Sequence, residues 1–146
     1  MLVVWVVVLA ARRWIALATG DNATSEIRLV AATDPLAPPL LVRARQPGVE
    51  YDVEAHDDTL FIVTNDIDPM FRLVTAAVAA PDAWTERLAP RPDFYLTDVT
   101  CFADFFVVEG REDGLDQVEI HDYASGAVRR VAFAEASYVA GLDENP

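Results

Sequence analysis

Apolar and polar positions alternate in short runs along almost all of this 146-residue chain. The runs are Trp14–Thr19, Glu26–Ala32, Tyr51–His56, Leu60–Asn65, Phe71–Ala76, Phe105–Gly110, Gln117–Asp122 and Val128–Ala132. Gly, Pro, Asn and Asp separate them, so the pattern predicts strands joined by tight turns. No long stretch carries a helical period. Ala76–Leu88 is ambiguous, and Pro81 interrupts it. Leu2–Ala11 is a continuous apolar run containing Val3, Val4, Val6, Val7 and Val8. Branched side chains there predict a buried strand rather than a helix. The run falls short of the roughly 18 apolar residues of a membrane span. Arg12 and Arg13 follow it, whereas a secretory leader carries its positive charge in front. No membrane role is expected.

The spacing of the runs is more informative than any single one. Leu17-Ala18-Thr19-Gly20-Asp21 is echoed by Ile62-Val63-Thr64-Asn65-Asp66 and then by Val107-Val108-Glu109-Gly110-Arg111, each step being 45 residues. Ile27-Arg28-Leu29-Val30 is echoed by Phe71-Arg72-Leu73-Val74 at 44, while Val118-Glu119-Ile120-His121 keeps only the alternation. Pro47 and Pro92 stand 45 apart. A period near 45 with about four short strands per unit is what a β-propeller blade requires. The expected fold is all-β: about three four-stranded antiparallel blades of an incomplete propeller, at 12–47, 48–92 and 93–132, with partial strands at both ends. A β-sandwich is the alternative. Closed propellers use four to eight blades, so the chain reads as a piece of something larger. Its last residues, Asp143-Glu144-Asn145-Pro146, read as a turn into a further segment.

Composition narrows the partners. With 24 acidic residues against 11 basic ones, the net charge is −13. Nucleic acid, which needs a basic stripe, is not an expected partner; a short basic peptide is a possible one. Hydrophobic residues make up 53%, which excludes a disordered polar tail. The single cysteine, Cys101, allows no internal disulfide and fits a reducing, cytoplasmic setting. Its surroundings, Val99 to Val108, are largely apolar, which predicts a buried, unreactive thiol. Asn22-Ala23-Thr24 matches the short N-glycosylation pattern, which recurs by chance.

Catalytic groups are hard to assemble from this sequence. None of Ser25, Ser125 and Ser137 lies in a Gly-x-Ser-x-Gly elbow. His121-Asp122 with Ser125 nearby invites a triad reading, but adjacent strand residues point to opposite faces. His56-Asp57-Asp58 offers metal-ligand types but reads as a polar turn before Leu60. No zinc spacing, calcium loop, phosphate loop or dinucleotide fingerprint is present, so no metal and no cofactor is expected. Trp5, Trp14, Trp84, Phe61, Phe71, Phe105 and Phe106 lie in or beside strands and read as packing between blades.

Several segments resemble the oligopeptidase B family, in order along nearly the whole chain. They are Thr24-Ser25-Glu26-Ile27-Arg28-Leu29, Gly48-Val49-Glu50-Tyr51, Asn65 with Phe71-Arg72-Leu73-Val74, and Trp84 and Leu88 with Pro90-Arg91 and Asp93. Glu109-Gly110-Arg111-Glu112-Asp113-Gly114-Leu115 and Phe133-Ala134-Glu135-Ala136-Ser137-Tyr138 follow. The resemblance implies a serine peptidase of the prolyl oligopeptidase class, in which a seven-bladed propeller covers an α/β-hydrolase domain. There the propeller admits only short peptides, and oligopeptidase B cleaves after Arg and Lys. The hydrolase domain is absent from this sequence, so no catalytic residue carries over and the substrate-binding residues stay unassigned. The implied partners are that domain and the remaining blades. Met1 to Val8 resembles the family poorly, which suggests an altered start from a truncated or frameshifted gene. Two other roles compete: an acidic stand-alone binding module, and a module that self-assembles through open sheet edges.

Overall fold

The computed structural model describes residues 3–9, 12–134 and 139–142. These residues form twelve strands and no helix. The strands make three four-stranded antiparallel sheets in chain order. The first sheet holds β1 (Val3–Val8), β2 (Trp14–Gly20), β3 (Ser25–Ala31) and β4 (Leu40–Arg43). The second holds β5 (Tyr51–His56), β6 (Thr59–Thr64), β7 (Arg72–Ala77) and β8 (Thr85–Leu88). The third holds β9 (Tyr95–Cys101), β10 (Phe105–Glu112), β11 (Leu115–Asp122) and β12 (Val128–Arg130). The set is an open, propeller-like stack of blades.

Alternation decides which residues form the core. In the second sheet Leu60, Ile62, Val74 and Ala76 pack on Ala16, Ala18, Ile27, Leu29 and Val42 of the first. Phe61, Val63 and Leu73 leave the opposite face and pack on Phe94, Leu96, Val99, Phe106 and Val108 of the third. The middle sheet is thus covered on both sides, which is why β6 reads as a nearly continuous apolar run. Burying each of the Val, Leu, Ile and Phe side chains among them contributes about 1.5–3 kcal/mol.

Three expectations shift, and the ambiguous Ala76–Leu88 segment is resolved. The valine-rich run is the first strand of the first sheet, so that blade starts at Val3 rather than at 12. It is not buried: Val4, Val6 and Val8 are 62%, 63% and 62% exposed. The segment after Ala76 is not a helix; Val78 to Trp84 form turns that lead into β8. Finally, the third repeat is displaced by one residue. Ile62 faces the preceding sheet, and its counterpart in the third sheet is Val108, not Val107. A bulge in β9 leaves Thr97 as an extra residue between Leu96, opposite Gly110, and Asp98, opposite Glu109. One inserted residue flips every later side chain to the other face.

Gly110 therefore lies inside β10, not in a turn. The turn is Asp113-Gly114, with φ of 52° and 77°. Glycine is needed at 110 for another reason: a Cβ there would lie 2.2 Å from the Phe94 ring.

Candidate functional site

β1, β5 and β9 occupy the same edge of their respective sheets. Along β5, Tyr51, Val53 and Ala55 are buried toward the first sheet, so Asp52 and Glu54 point the other way. The bulge at Thr97 returns Asp98 to the position in β9 that Asp52 holds in β5. The three carboxylates line one cleft of about 140 Å³, with Val7, Leu9, Val53, Val63, Val99 and Thr100.

These side chains reach solvent, yet they sit in a recess where hydration is incomplete. Loss of hydration pushes the Asp98 carboxyl up to about 6; the negative charges of Asp52 and Glu109 add to this, and the Val99 N–H opposes it. Desolvation also raises Asp52, against a hydrogen bond of 2.9 Å donated by the Val53 N–H. Such a row favours an approaching ammonium or guanidinium group, which would restore the charge balance. Among the lining residues Thr100 is the one hydroxyl.

The sequence candidates fall elsewhere. His121 is buried, its ring stacked 4.7 Å from Phe106 and its Nε2 3.4 Å from Glu119 Oε2. Ser125 instead closes a turn: its Oγ donates to Asp122 Oδ1 at 2.6 Å and its N–H donates to the same oxygen at 2.7 Å. His121 and Asp122 point to opposite faces of β11, and Ser125 is committed to Asp122. His56 ends β5 before a two-residue hairpin in which Asp57 has φ 52°. Its ring stacks on Tyr123 at 4.3 Å and its Nε2 lies 3.0 Å from the Ala103 carbonyl, tying the second sheet to the third. Asp58 reaches Arg13 at 3.3 Å. Among the described residues no group of three His, Cys, Asp or Glu converges as metal ligands do.

Burial pushes the Cys101 thiol up to about 12, so it carries no thiolate at neutral pH. Asn22 is exposed in the β2–β3 hairpin. Phe61 and Phe106 are core residues, while Trp14, Trp84 and Phe71 pack against the core and Phe105 stacks on Phe102 at 4.8 Å. Ser137, residues 135–138 of the Phe133–Tyr138 patch and residues 143–146 lie outside the described residues, as does the side chain of Trp5.

Two polar clusters escaped the sequence reading. Glu119, 4% exposed, accepts two hydrogen bonds from Arg91 at 3.0 and 3.1 Å and one from Arg130 at 2.8 Å. His121 and these arginines hold its carboxyl well below the usual carboxylate range. The Tyr51 hydroxyl accepts from the Ile27 N–H at 2.7 Å and donates to the Arg43 carbonyl at 2.6 Å. It fills the gap left by the β3–β4 bulge at Ile27/Arg28. Alternation along β11 puts Glu119 on a face with Gln117 and His121, but does not show which distant arginines meet it.

Residues 4–145 match the family model described as the prolyl oligopeptidase N-terminal β-propeller domain. The chain belongs to this family. It is 32% identical over 128 residues to Protease 2 of Moraxella lacunata, covering 86% of this chain and 18% of that protein. It is 31% identical over 120 residues to the prolyl endopeptidase-like protein of Rattus norvegicus, covering 80% and 16%. Among solved structures, oligopeptidase B from Leishmania major superposes with a TM-score of 0.86 at 22% identity, over 92% of this chain and 20% of that one. Oligopeptidase B from Trypanosoma brucei, in a closed form with covalently bound antipain, gives 0.84 at 26% identity, over 92% and 21%. This prolyl oligopeptidase-family propeller segment thus spans about a fifth of the length of the relatives it matches.

Proposed function

We propose that the chain is the non-catalytic, substrate-excluding part of an oligopeptidase B-like serine peptidase that acts on short basic peptides. Its partners on this reading are an α/β-hydrolase domain, which supplies the chemistry, and the remaining blades. The observation that carries the reading is the carboxylate row of Asp52, Glu54 and Asp98 along the common strand edge of blades that match oligopeptidase B. A passage lined by carboxylates favours substrates with Arg or Lys side chains, and stacked sheets exclude bulky ones. The single buried thiol suits a reducing compartment, and we place the protein in the cytoplasm.

A domain exchange tests this. Residues 4–134 of this chain replace the matching segment of Protease 2 from Moraxella lacunata. The hybrid is expected to cleave a short Arg-containing peptide and to leave a large unfolded protein intact. Cleavage of both contradicts the excluding role. The acidic balance favours one second reading, a stand-alone module that binds basic peptides. Calorimetry of the chain with a dibasic peptide at low and high salt separates the two: saturable, salt-sensitive binding by the chain alone favours the module.

A further inference from the structure

We propose that Asp52, Glu54 and Asp98 close the inner strand edges of the second and third sheets to backbone pairing, so that an extended chain passing between the blades cannot add to them as a further strand. β5 is an end strand of the second sheet and β9 an end strand of the third, and the two lie against each other beside the cleft. The sheets therefore come together along this edge, and in a propeller such an edge borders the central channel. An end strand presents unpaired N–H and C=O groups, the pattern on which a peptide pairs.

Ladder register shows which groups these are. His56 and Thr59 flank the two-residue turn as a hydrogen-bonded pair, so Glu54 and Asp52 bond to β6, and the N–H groups of Val53 and Ala55 point to the open side. In the third sheet the Phe102 N–H donates to the Phe105 carbonyl at 2.8 Å. Thr100 and Asp98 therefore bond to β10, and the Val99 N–H points out. Each of these outward donors is taken by the carboxylate of the residue before it. The Val53 N–H donates to Asp52 Oδ1 at 2.9 Å, the Ala55 N–H to Glu54 Oε1 at 2.8 Å, and the Val99 N–H to Asp98 Oδ1 at 2.7 Å. Further along β9, the Leu96 N–H donates to the Met70 carbonyl at 3.1 Å. An added strand would need the same N–H groups for its own carbonyls. It meets carboxylate oxygens instead, acceptor against acceptor. A peptide backbone, with one donor and one acceptor per residue, cannot pair with acceptors alone. The carboxylates are held there against their own hydration: burial raises Asp52 and pushes Asp98 up to about 6, although each accepts an N–H. The purpose of the closed edge, exclusion of extended chains, rests on the proposed function; the closure itself does not.

Amide hydrogen exchange, followed residue by residue by NMR, tests the proposal. The parent chain is compared with the triple variant Asp52→Val/Glu54→Val/Asp98→Val, whose new side chains suit a strand. Each is measured with and without an excess of a neutral peptide of about eight alternating Thr and Val residues. In the parent the Val53, Ala55 and Val99 amides are expected to exchange about tenfold more slowly than in the triple variant, and the peptide changes nothing. In the triple variant the peptide is expected to restore their protection. If the triple variant does not fold, Asp98→Val alone carries the test: exchange speeds up at Val99 and stays as in the parent at Val53 and Ala55. Equal exchange of these amides in parent and variant overturns the proposal. So does protection of them by the peptide in the parent, or freed amides in the triple variant that the peptide leaves untouched. Binding of a dibasic peptide and the specificity of the hybrid peptidase are separate readouts, and either can fail while these exchange rates hold.

Discussion

The two seams between the sheets share one geometry and differ in chemistry. The seam between the first and second sheets is built from small and aliphatic residues: Ala16, Ala18, Ile27, Leu29 and Val42 against Val53, Ala55, Leu60, Ile62, Val74 and Ala76. The buried Tyr51 hydroxyl in it is bonded on both sides. Arg43 caps this seam from outside, its guanidinium 3.4 Å over the Trp84 ring and paired with Asp82. The seam between the second and third sheets is aromatic and polar. Phe61, Phe106 and Tyr123 rings meet at 5.3 to 5.9 Å, and His56 and His121 stack on them. Glu119 and its arginines close the side of the third sheet. A repeated backbone therefore does not dictate one kind of packing. The alanines let the first pair of sheets close mainly through aliphatic contacts, with Tyr51 and the tryptophans Trp14 and Trp84 at its margin. The phenylalanines of the second pair need Gly110 to make room and polar partners to complete the layer.

The contrast can be broken most forcefully at Phe106, which is wholly buried at the centre of the aromatic seam. Phe106→Ala is expected to cost about 3–5 kcal/mol in urea unfolding, through lost contacts and the cavity left behind. Glu119→Ala comes next, at about 2–4 kcal/mol, because it leaves Arg91 without its carboxylate and Arg130 with Glu112 alone. The depressed Glu119 carboxyl adds stability above its unfolded value of 4.5, and that contribution is lost as pH falls below it. The gap between parent and Glu119→Ala should therefore narrow toward pH 3. In the aliphatic seam, Tyr51→Phe orphans the Ile27 N–H and is expected to cost about 1–2 kcal/mol, with little dependence on pH below 8.

The smallest effect is at the cleft, where the sign reverses. Asp98 binds its proton more tightly folded than unfolded, its value rising from 3.8 to about 6. Its charged form thus opposes folding above pH 6, and the penalty is relieved as pH falls toward 4. Asp98→Asn is expected to raise the melting temperature at pH 7 by about 2 °C, with the gain vanishing near pH 4. A loss of stability at pH 7 would show that the Asp98 charge is compensated in the folded chain.

The sheets were legible because the alternation is strong wherever one face is buried. The eight runs read from the sequence correspond to strands of the fold. β4 and β8 are short, with mostly exposed or half-buried residues, and leave little pattern to read. The one-residue displacement in the third repeat was hidden because Val107 and Val108 are equally apolar. Only the bulge at Thr97 tells which of them faces the second sheet. The exposure of β1 was equally hidden, since its valines have the composition of a buried strand. The cleft was not legible at all. Asp52 and Asp98 are 46 residues apart, and they meet only because the bulge restores the facing of the second carboxylate.

The central claim is that these blades guide and exclude while the chemistry resides in another domain. Incubating the purified chain with an arginine ester substrate tests it directly. The expected result is hydrolysis no faster than buffer. Hydrolysis above buffer that disappears in Ser125→Ala or His121→Ala would contradict it.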